Sequence, residues 1–296
     1  MTMTPDWRQI ELETRNLSIG SAIFLGEGWA SRAYLVNDEF VFRFPKRQGW
    51  DELDREMKFL AFAADHLPLA VPRYLHAAPN SPAAPHGYAV YQYLHGHAMD
   101  VSALSSEQRV VAADRIAAFI RAVHDLQPSP DVSDLLPRED ERASADILAT
   151  RAEHEIAPKL RSLEADNLRR RFEEYLSTPR DVSMRPSVLH ADLSRVHILM
   201  QDEAVVAVID FGDVNWGDAD YDFTYLFAEC GLPFVEEVAR RYEHPNLDRL
   251  RFKLNYFDMA DQVDIILNGP GYALEGQEDQ AWRRLKQLLG RSDTGR

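Results

Sequence analysis

An α+β chain, mostly β in its N-terminal part and helical in a larger C-terminal part, is what this sequence predicts, and three observations predict it. Residues 19–44 carry short apolar runs broken by turn residues, the pattern of an antiparallel meander. Residues 105–126 repeat apolar side chains at the i, i+3, i+4, i+7 spacing of a long helix, and helical patterns fill much of the chain beyond Glu139. Residues 188–213 interrupt those helices with two apolar runs around a turn, and acidic and imidazole side chains flank the runs.

Composition narrows the function. With 296 residues the chain is long enough for two lobes with cores of their own, and 45% apolar with 27% charged residues is the balance of a soluble globular protein. A formal charge of −15 argues against nucleic acid as the partner and suits a cationic ligand, although acidity also serves solubility alone. Cys230, the single cysteine, makes no internal disulfide, and no Cys/His spacing suggests zinc. The segment Met1 to Trp7 lacks the basic and apolar regions of a signal peptide, and no apolar run reaches about 18 residues. A cytoplasmic protein with no membrane association and no obligate protein partner is expected.

In chain order, Ala22 to Leu25, Ala33 to Val36 and Phe40 to Phe44 read as strands joined by Gly26-Glu27-Gly28 and Asn37-Asp38-Glu39. Arg43 alternates with Phe42 and Phe44, so it points to the opposite face, and Lys46 lies past a proline that ends the strand. Asp51 to His66 reads as a helix with Leu53, Met57, Leu60 and Ala64 on one stripe and Glu56 beside it. Pro68 to Pro85 reads as loop with a short strand around Arg73 to His76, and Tyr88 to Leu94 as an apolar strand closed by Gly96. Ser105 and Gln108 make a capping box ahead of Ile116, Phe119, Ile120 and Val123, and His124 is expected to be a satisfied core or helix-end histidine. A linker rich in Pro and Asp spans Pro128 to Pro137. Glu139 to Ser177 reads as charged helices, with Leu160, Leu163 and Leu168 as buried candidates and Arg169-Arg170-Arg171 as a solvated face. These helices could form an insertion over an acceptor site. Three helices are expected after Asp218-Ala219-Asp220-Tyr221-Asp222-Phe223, ending near Leu289.

The stretch 188–213 carries the chemistry. Val196 to Met200 and Ala204 to Ile209 read as a hairpin around Gln201-Asp202-Glu203, and a hairpin brings its outer ends together. His190 and Asp192 before it and Asp210 after it would then face one cleft. Phosphoryl transfer needs a carboxylate to orient the acceptor hydroxyl and take its proton, and metal ions to neutralise the triphosphate. Asp192 is the candidate for the first task, Asp210 and His197 for the second. Either motif alone would as readily be core structure; both in order, with a strand pattern between, favour the chemistry.

His190-x-Asp192 with His197, and Ile209-Asp210-Phe211-Gly212-Asp213, resemble the motifs of the kinase-like antibiotic phosphotransferases, His-x-Asp-x-x-x-x-Asn and Ile-Asp-Phe/Trp-Gly/Asp. The likeness runs from about Ile19 to Leu289 and is greatest to the aminoglycoside 2″-phosphotransferases. His197 stands where most members have Asn; those 2″ enzymes and the macrolide phosphotransferases commonly have His there too. Coordination through either ring nitrogen, or through water, stays open.

The resemblance implies a bilobal protein-kinase-like fold, with residues 1–94 as N-lobe and hinge and 95–296 as helical C-lobe. It implies ATP or GTP as donor, Mg²⁺ as cofactor, and a hydroxyl of a cationic aminoglycoside, the 2″ one, as acceptor. Gly26, Gly28 and Ser31 would cover the donor phosphates. Arg43, where the family usually has Lys, would grip them with Glu56 as its partner, in preference to Lys46; a solvated helix glutamate is the other reading of Glu56. Tyr91, Gln92 and Leu94 would meet the purine above Leu199 and Ile209, with Tyr91 favouring GTP or simply filling core. Ser194 would lie near the phosphate, and Asp222 would brace the catalytic loop. Asp213, Asp218, Glu236, Glu237, Asp258, Asp261 and Asp264 would receive the acceptor, the last two and Asp258 sharing a broad helix face. A macrolide kinase, another small-molecule kinase of this fold, and a nucleotide-binding pseudokinase without turnover are the alternatives.

Overall fold

The computed structural model describes residues 5–14, 17–28, 30–46, 50–179, 186–269 and 276–290; Met1 to Thr4 of the N-terminal segment lie outside them. After helix α1 (Trp7–Thr14), strands β1 (Ala22–Glu27), β2 (Ser31–Val36) and β3 (Phe40–Pro45) form the expected meander. Helix α2 (Trp50–Ala63) follows, and β4 (Tyr74–Ala78) and β5 (Tyr88–Gln92) complete an antiparallel sheet of order β1-β2-β3-β5-β4. Asn37 and Asp38 turn the chain between β2 and β3 with φ near 55°, a left-handed conformation that Asn and Asp adopt more readily than most residues. Phe42 and Phe44 face Trp7 of α1, each with ring centroids 5.8 Å from it, which leaves Arg43 on the other face toward α2.

Alternation along β3 and the burial of α2 meet at one pair. Helix α2 buries Leu53, Glu56, Phe59, Leu60 and Ala63, and Ala64 just past its end is buried too, so Leu53, Leu60 and Ala64 of the expected stripe face inward; Glu56 joins them, 1% exposed, and Met57 is only half-buried. A carboxylate is tolerated there because Arg43 lies opposite.

The helical part begins after β6 (His97–Ala98) with α3 (Ser106–His124), whose N-terminus carries the capping box of Ser105 and Gln108. Its apolar face packs against α8 (Leu232–Tyr242) and shares a core with Phe59 and Leu60 of α2. Short α4 (Pro130–Ser133) lies within the expected linker. Helices α5 (Glu141–Glu155) and α6 (Ser162–Ser177) join α9 (Leu247–Asn268) and α10 (Gln277–Gly290) in a second core. Leu168 is buried there and Leu160 partly so, but Leu163 is 68% exposed at the start of α6. The three arginines are anchored, Arg169 to Glu153, Arg170 to Glu174 and Arg171 to the Leu288 carbonyl at the end of α10. With α7 (Thr224–Cys230), four helices rather than three follow the acidic turn among the described residues, because Gly231 and Pro233 break what reads as one apolar stretch.

Strand β7 (Ser187–Leu189) pairs with β10 (Asn215–Gly217), and β8 (Ile198–Gln201) pairs with β9 (Ala204–Val208) and β6. The hairpin turn is narrower than expected, Asp202-Glu203, both with positive φ. Val196 belongs to a turn before β8 and is exposed, since His197 N donates to Ser194 O at 3.1 Å and closes the chain there.

Candidate active site

Arg43 organises one wall. Its Nη1 donates to both carboxylate oxygens of Glu56 at 2.7 and 2.6 Å, and the Tyr74 hydroxyl donates to Glu56 Oε1 at 2.9 Å. Its Nε and Nη2 donate to Ser31 Oγ at 3.2 and 3.1 Å, and Nη2 also reaches Asp210 Oδ1 at 3.2 Å. Burial works against charge on Arg43, but Glu56, Tyr74 and Asp210 more than offset it and hold the guanidinium well above its ordinary pKa. A planar fork of three nitrogens serves these partners together; the single nitrogen of a lysine has no such geometry. Lys46 instead donates to Gly28 O at 3.0 Å beside Glu27, on the exposed turn.

Gly26 lies within β1 and Gly28 just beyond it, so the strand runs further than its apolar residues suggest. A Cβ at either glycine would meet nothing within 4 Å, which leaves the space over both open. Tyr91 is buried on β5, edge-on to Tyr74 with centroids 5.3 Å apart. Its hydroxyl lies in the field of Arg43, Glu56 and Asp210. Gln92 ends β5 on the surface, and Leu94 is half-buried in the segment that follows. That segment lies directly on β8, where a Cβ at Gly96 would come within 3.0 Å of Leu199 Cβ. Ile209 continues the β8–β9 ladder, its N donating to His197 O at 2.9 Å.

The loop after β7 forms the facing wall. His190 Nε2 donates to Ile209 O at 3.1 Å, and Nδ1 accepts from Asp192 N at 3.2 Å; burial pushes this imidazole down to about 4 and keeps it neutral. Ala191 takes φ of 65°, unusual for a residue with a Cβ. Asp222 holds it there, accepting from His190 N at 3.1 Å and Ala191 N at 2.7 Å. His124 is satisfied at the end of α3, 3.0 Å from Asp222 Oδ2 and 2.9 Å from the Tyr242 hydroxyl.

His197 Nδ1 lies 2.8 Å from Asp192 O, 3.3 Å from Ser194 Oγ and 3.4 Å from Asp192 Oδ2. A carbonyl oxygen only accepts, so Nδ1 carries a proton, and Nε2 faces Asp210 Oδ2 at 3.6 Å. Burial would raise the Asp210 pKa, but Arg43 and His197 outweigh it and hold the carboxyl below its usual range. Among the described residues no group of three or more His, Cys, Asp or Glu could hold a metal ion alone. One carboxylate with one imidazole nitrogen beside it does fit a cation that completes its shell with phosphate oxygens and water, as Mg²⁺ does beside nucleotides.

Asp192 is 28% exposed; burial first, then Asp213, Asp210 and Glu229, push it up to about 7 against His197. Asp261 accepts from the Tyr221 hydroxyl at 2.9 Å and is raised to about 7, by burial and then by Asp258, Asp264 and Asp192. Tyr225 is raised by Asp261, burial and Asp192. Asp192, Asp213, Asp261, Glu229 and Tyr225 thus share one electrostatic neighbourhood. Sequence reasoning missed Glu229, Tyr221 and Tyr225. The i, i+4 tyrosines beside an acidic turn were a usable signal, whereas Glu229 carries none, because its place depends on how α7 packs.

The other acids expected with them are engaged elsewhere. Asp218 pairs with buried Lys253, Glu236 with Arg240 and Arg251, and Glu237 with Arg240 and Arg241. Asp258 is buried against Arg284 at 2.5 Å, and Asp264 is exposed and bonded to Asn268. Spacing of three residues turns each aspartate only about 60° from the last round α9, so they share a broad face, but their partners separate them: Asp258 meets Arg284, Asp261 the Tyr221 hydroxyl and Asp264 Asn268.

A sheet that hands one arginine to a carboxylate beyond the hairpin, next to a loop braced from beneath, is the arrangement of a kinase-like phosphotransferase. The model of the phosphotransferase enzyme family matches residues 21–252, and the chain belongs to that family. Among solved structures it is similar to the GDP and kanamycin complex of an APH(2″) enzyme, at 27% identity over 96% of this chain and 97% of that one with a TM-score of 0.88. It is also similar to the GDP complex of an aminoglycoside 2′-phosphotransferase, at 26% identity, the same coverage and a TM-score of 0.88. A macrolide 2′-phosphotransferase from Brachybacterium faecium, 18% identical over 95% of this chain and 97% of that one with a TM-score of 0.71, shares the fold. Among the described residues no helix is long and apolar enough to cross a membrane.

Proposed function

We propose that this phosphotransferase moves the γ-phosphate of ATP or GTP to a hydroxyl of an aminoglycoside, the 2″ hydroxyl, in a cleft between residues 1–94 and 95–296. The observation that carries the reading is that Asp213, Glu229 and Asp261 share the electrostatic surroundings of Asp192, whose carboxylate lies 3.4 Å from His197 Nδ1. Such a field favours a ligand with several ammonium groups. A macrolide, with one amine on a large apolar ring, has little use for it. The GDP and kanamycin complex of a similar protein supports the same choice.

Asp192 orients the acceptor hydroxyl and takes its proton. Its carboxyl, pushed up to about 7 by burial and by its acidic neighbours, returns toward the carboxylate form when cationic groups dock beside it, so acceptor binding itself supplies the base. Arg43, fixed by Glu56 and Ser31, steadies the donor phosphates beneath Gly26 and Gly28. Leu94, Leu199 and Ile209 line the purine site near Tyr91 and Gln92, and Ser194 helps to place His197. Asp210 and His197 Nε2 would hold Mg²⁺, which when bound neutralises the triphosphate oxygens. Asp222 keeps Asp192 aimed through the backbone of His190 and Ala191.

The test is nucleotide release with ATP and with GTP against a panel of aminoglycosides and macrolides. Turnover on aminoglycosides, abolished in Asp192→Ala with nucleotide affinity retained, is expected. Turnover on macrolides alone would replace the acceptor, and no turnover on any member would leave a nucleotide-binding pseudokinase.

A further inference from the structure

Arg55 and Glu56 are neighbours on α2, about 100° apart round the helix axis, so they meet different partners. Glu56 takes Arg43, which reaches Asp210. Arg55 Nη2 donates to the carbonyl of Gly212 at 2.9 Å, two residues further along the same loop. Its Nε is buried without a hydrogen-bond partner among the described residues, and its charge acts on Asp213 against Asp210 and Glu52. One turn on, Phe59 sets its ring 6.0 Å from that of Phe211. A single helix therefore grips residues 210 to 213 at three points.

The loop needs that grip. Asp210 takes φ of 65°, a left-handed conformation that strains a residue with a Cβ, so it persists where the surroundings over-determine it. The Gly212 carbonyl has no side chain of its own to anchor it, and Arg55 supplies the anchor from another element.

We propose that Arg55 is a positioning residue that keeps Asp210 set for metal-bound nucleotide by pinning the Gly212 carbonyl to α2. It acts through the backbone and touches neither donor nor acceptor. The inference rests on the reading that Asp210 meets the metal. A lysine at this position keeps the charge and one bond to the carbonyl but loses the fork; a methionine keeps only the length of the side chain.

The experiment is isothermal titration of GDP and of ATP into the whole chain, in EDTA and in Mg²⁺, for wild type, R55M and R55K, with thermal midpoints alongside. Nucleotide affinity in EDTA is expected to be the same in all three, while the gain in affinity on adding Mg²⁺ falls about tenfold in R55M, as for loss of a partner that orients a metal ligand, and is partly restored in R55K. An unchanged gain in R55M, with or without a lower midpoint, overturns the proposal and leaves Arg55 a structural residue. A wild type that shows no gain at all overturns both this inference and the metal reading beneath it, and is told apart by appearing without any substitution.

Discussion

At residue 190 a buried imidazole ties the folded state to pH. The unfolded chain binds a proton there near the ordinary value of 6.5, whereas the folded chain resists until about 4, because charging the ring in a buried site has no solvation to support it. The stability that neutral His190 permits is therefore complete above pH 6.5 and lost as pH falls toward 4, on the order of 3 kcal/mol in all. Asp192 and Asp261, raised to about 7, act with the opposite sign over the same range, since the folded state then binds more protons than the unfolded one. The His190 part is read as a difference: urea unfolding of wild type and His190→Gln between pH 7 and 4 should show the variant losing less, and parallel curves would refute the assignment. The identity of His190 was plain in the motif. Its burial was not, since that follows from Phe211, whose ring packs 4.5 Å away after a separate strand has returned the chain.

Elements repeat the lesson one level up. The β8–β9 hairpin was legible because two apolar runs flank a polar turn, yet its turn geometry was not: Asp202 and Glu203 take φ of 47° and 65°. Glu203 carries a Cβ into a region that glycine occupies freely, so Glu203→Gly should raise the unfolding free energy by about 1 kcal/mol by relieving left-handed strain at a two-residue hairpin turn. A thermal midpoint that stays put or falls would show the strain to be absorbed elsewhere in the hairpin. Helix α3 was readable to its cap because Ser105 and Gln108 act locally. The stripe of Leu53, Leu60 and Ala64 on helix α2 was legible, but the burial of Glu56 in place of Met57 was not, because Glu56 looks like a surface residue until the sheet brings Arg43 against it. The aspartates of α9 failed for the same reason in reverse: their spacing said helix, but Arg284 and Tyr221 drew Asp258 and Asp261 to different neighbours.

Over the whole molecule, the net charge of −15 bears on the proposed acceptor. If the acceptor is the proposed polycation, it would be drawn in by a field that salt screens over about 8–10 Å, so its KM should rise steeply from low to physiological and higher ionic strength. A steady-state series in NaCl at fixed Mg²⁺ checks this, and an acceptor KM indifferent to salt would argue that the acids around Asp192 do not meet charged groups. By itself the sequence determined the class of fold and the two acid-bearing loops, and it singled out Asp192 as the candidate base, because periodicity, turn chemistry and motif spacing are properties of contiguous residues. Only the tertiary structure decided that Arg43 rather than Lys46 reaches Asp210, that Nε2 of His197 faces Asp210 while Nδ1 faces the Asp192 carbonyl, that Glu229 acts on Asp192 and Tyr221 bonds Asp261, and that Arg55 bonds the Gly212 carbonyl. Each of these depends on which element packs against which, and a side chain's partner across a cleft leaves no trace in its own neighbourhood of the chain.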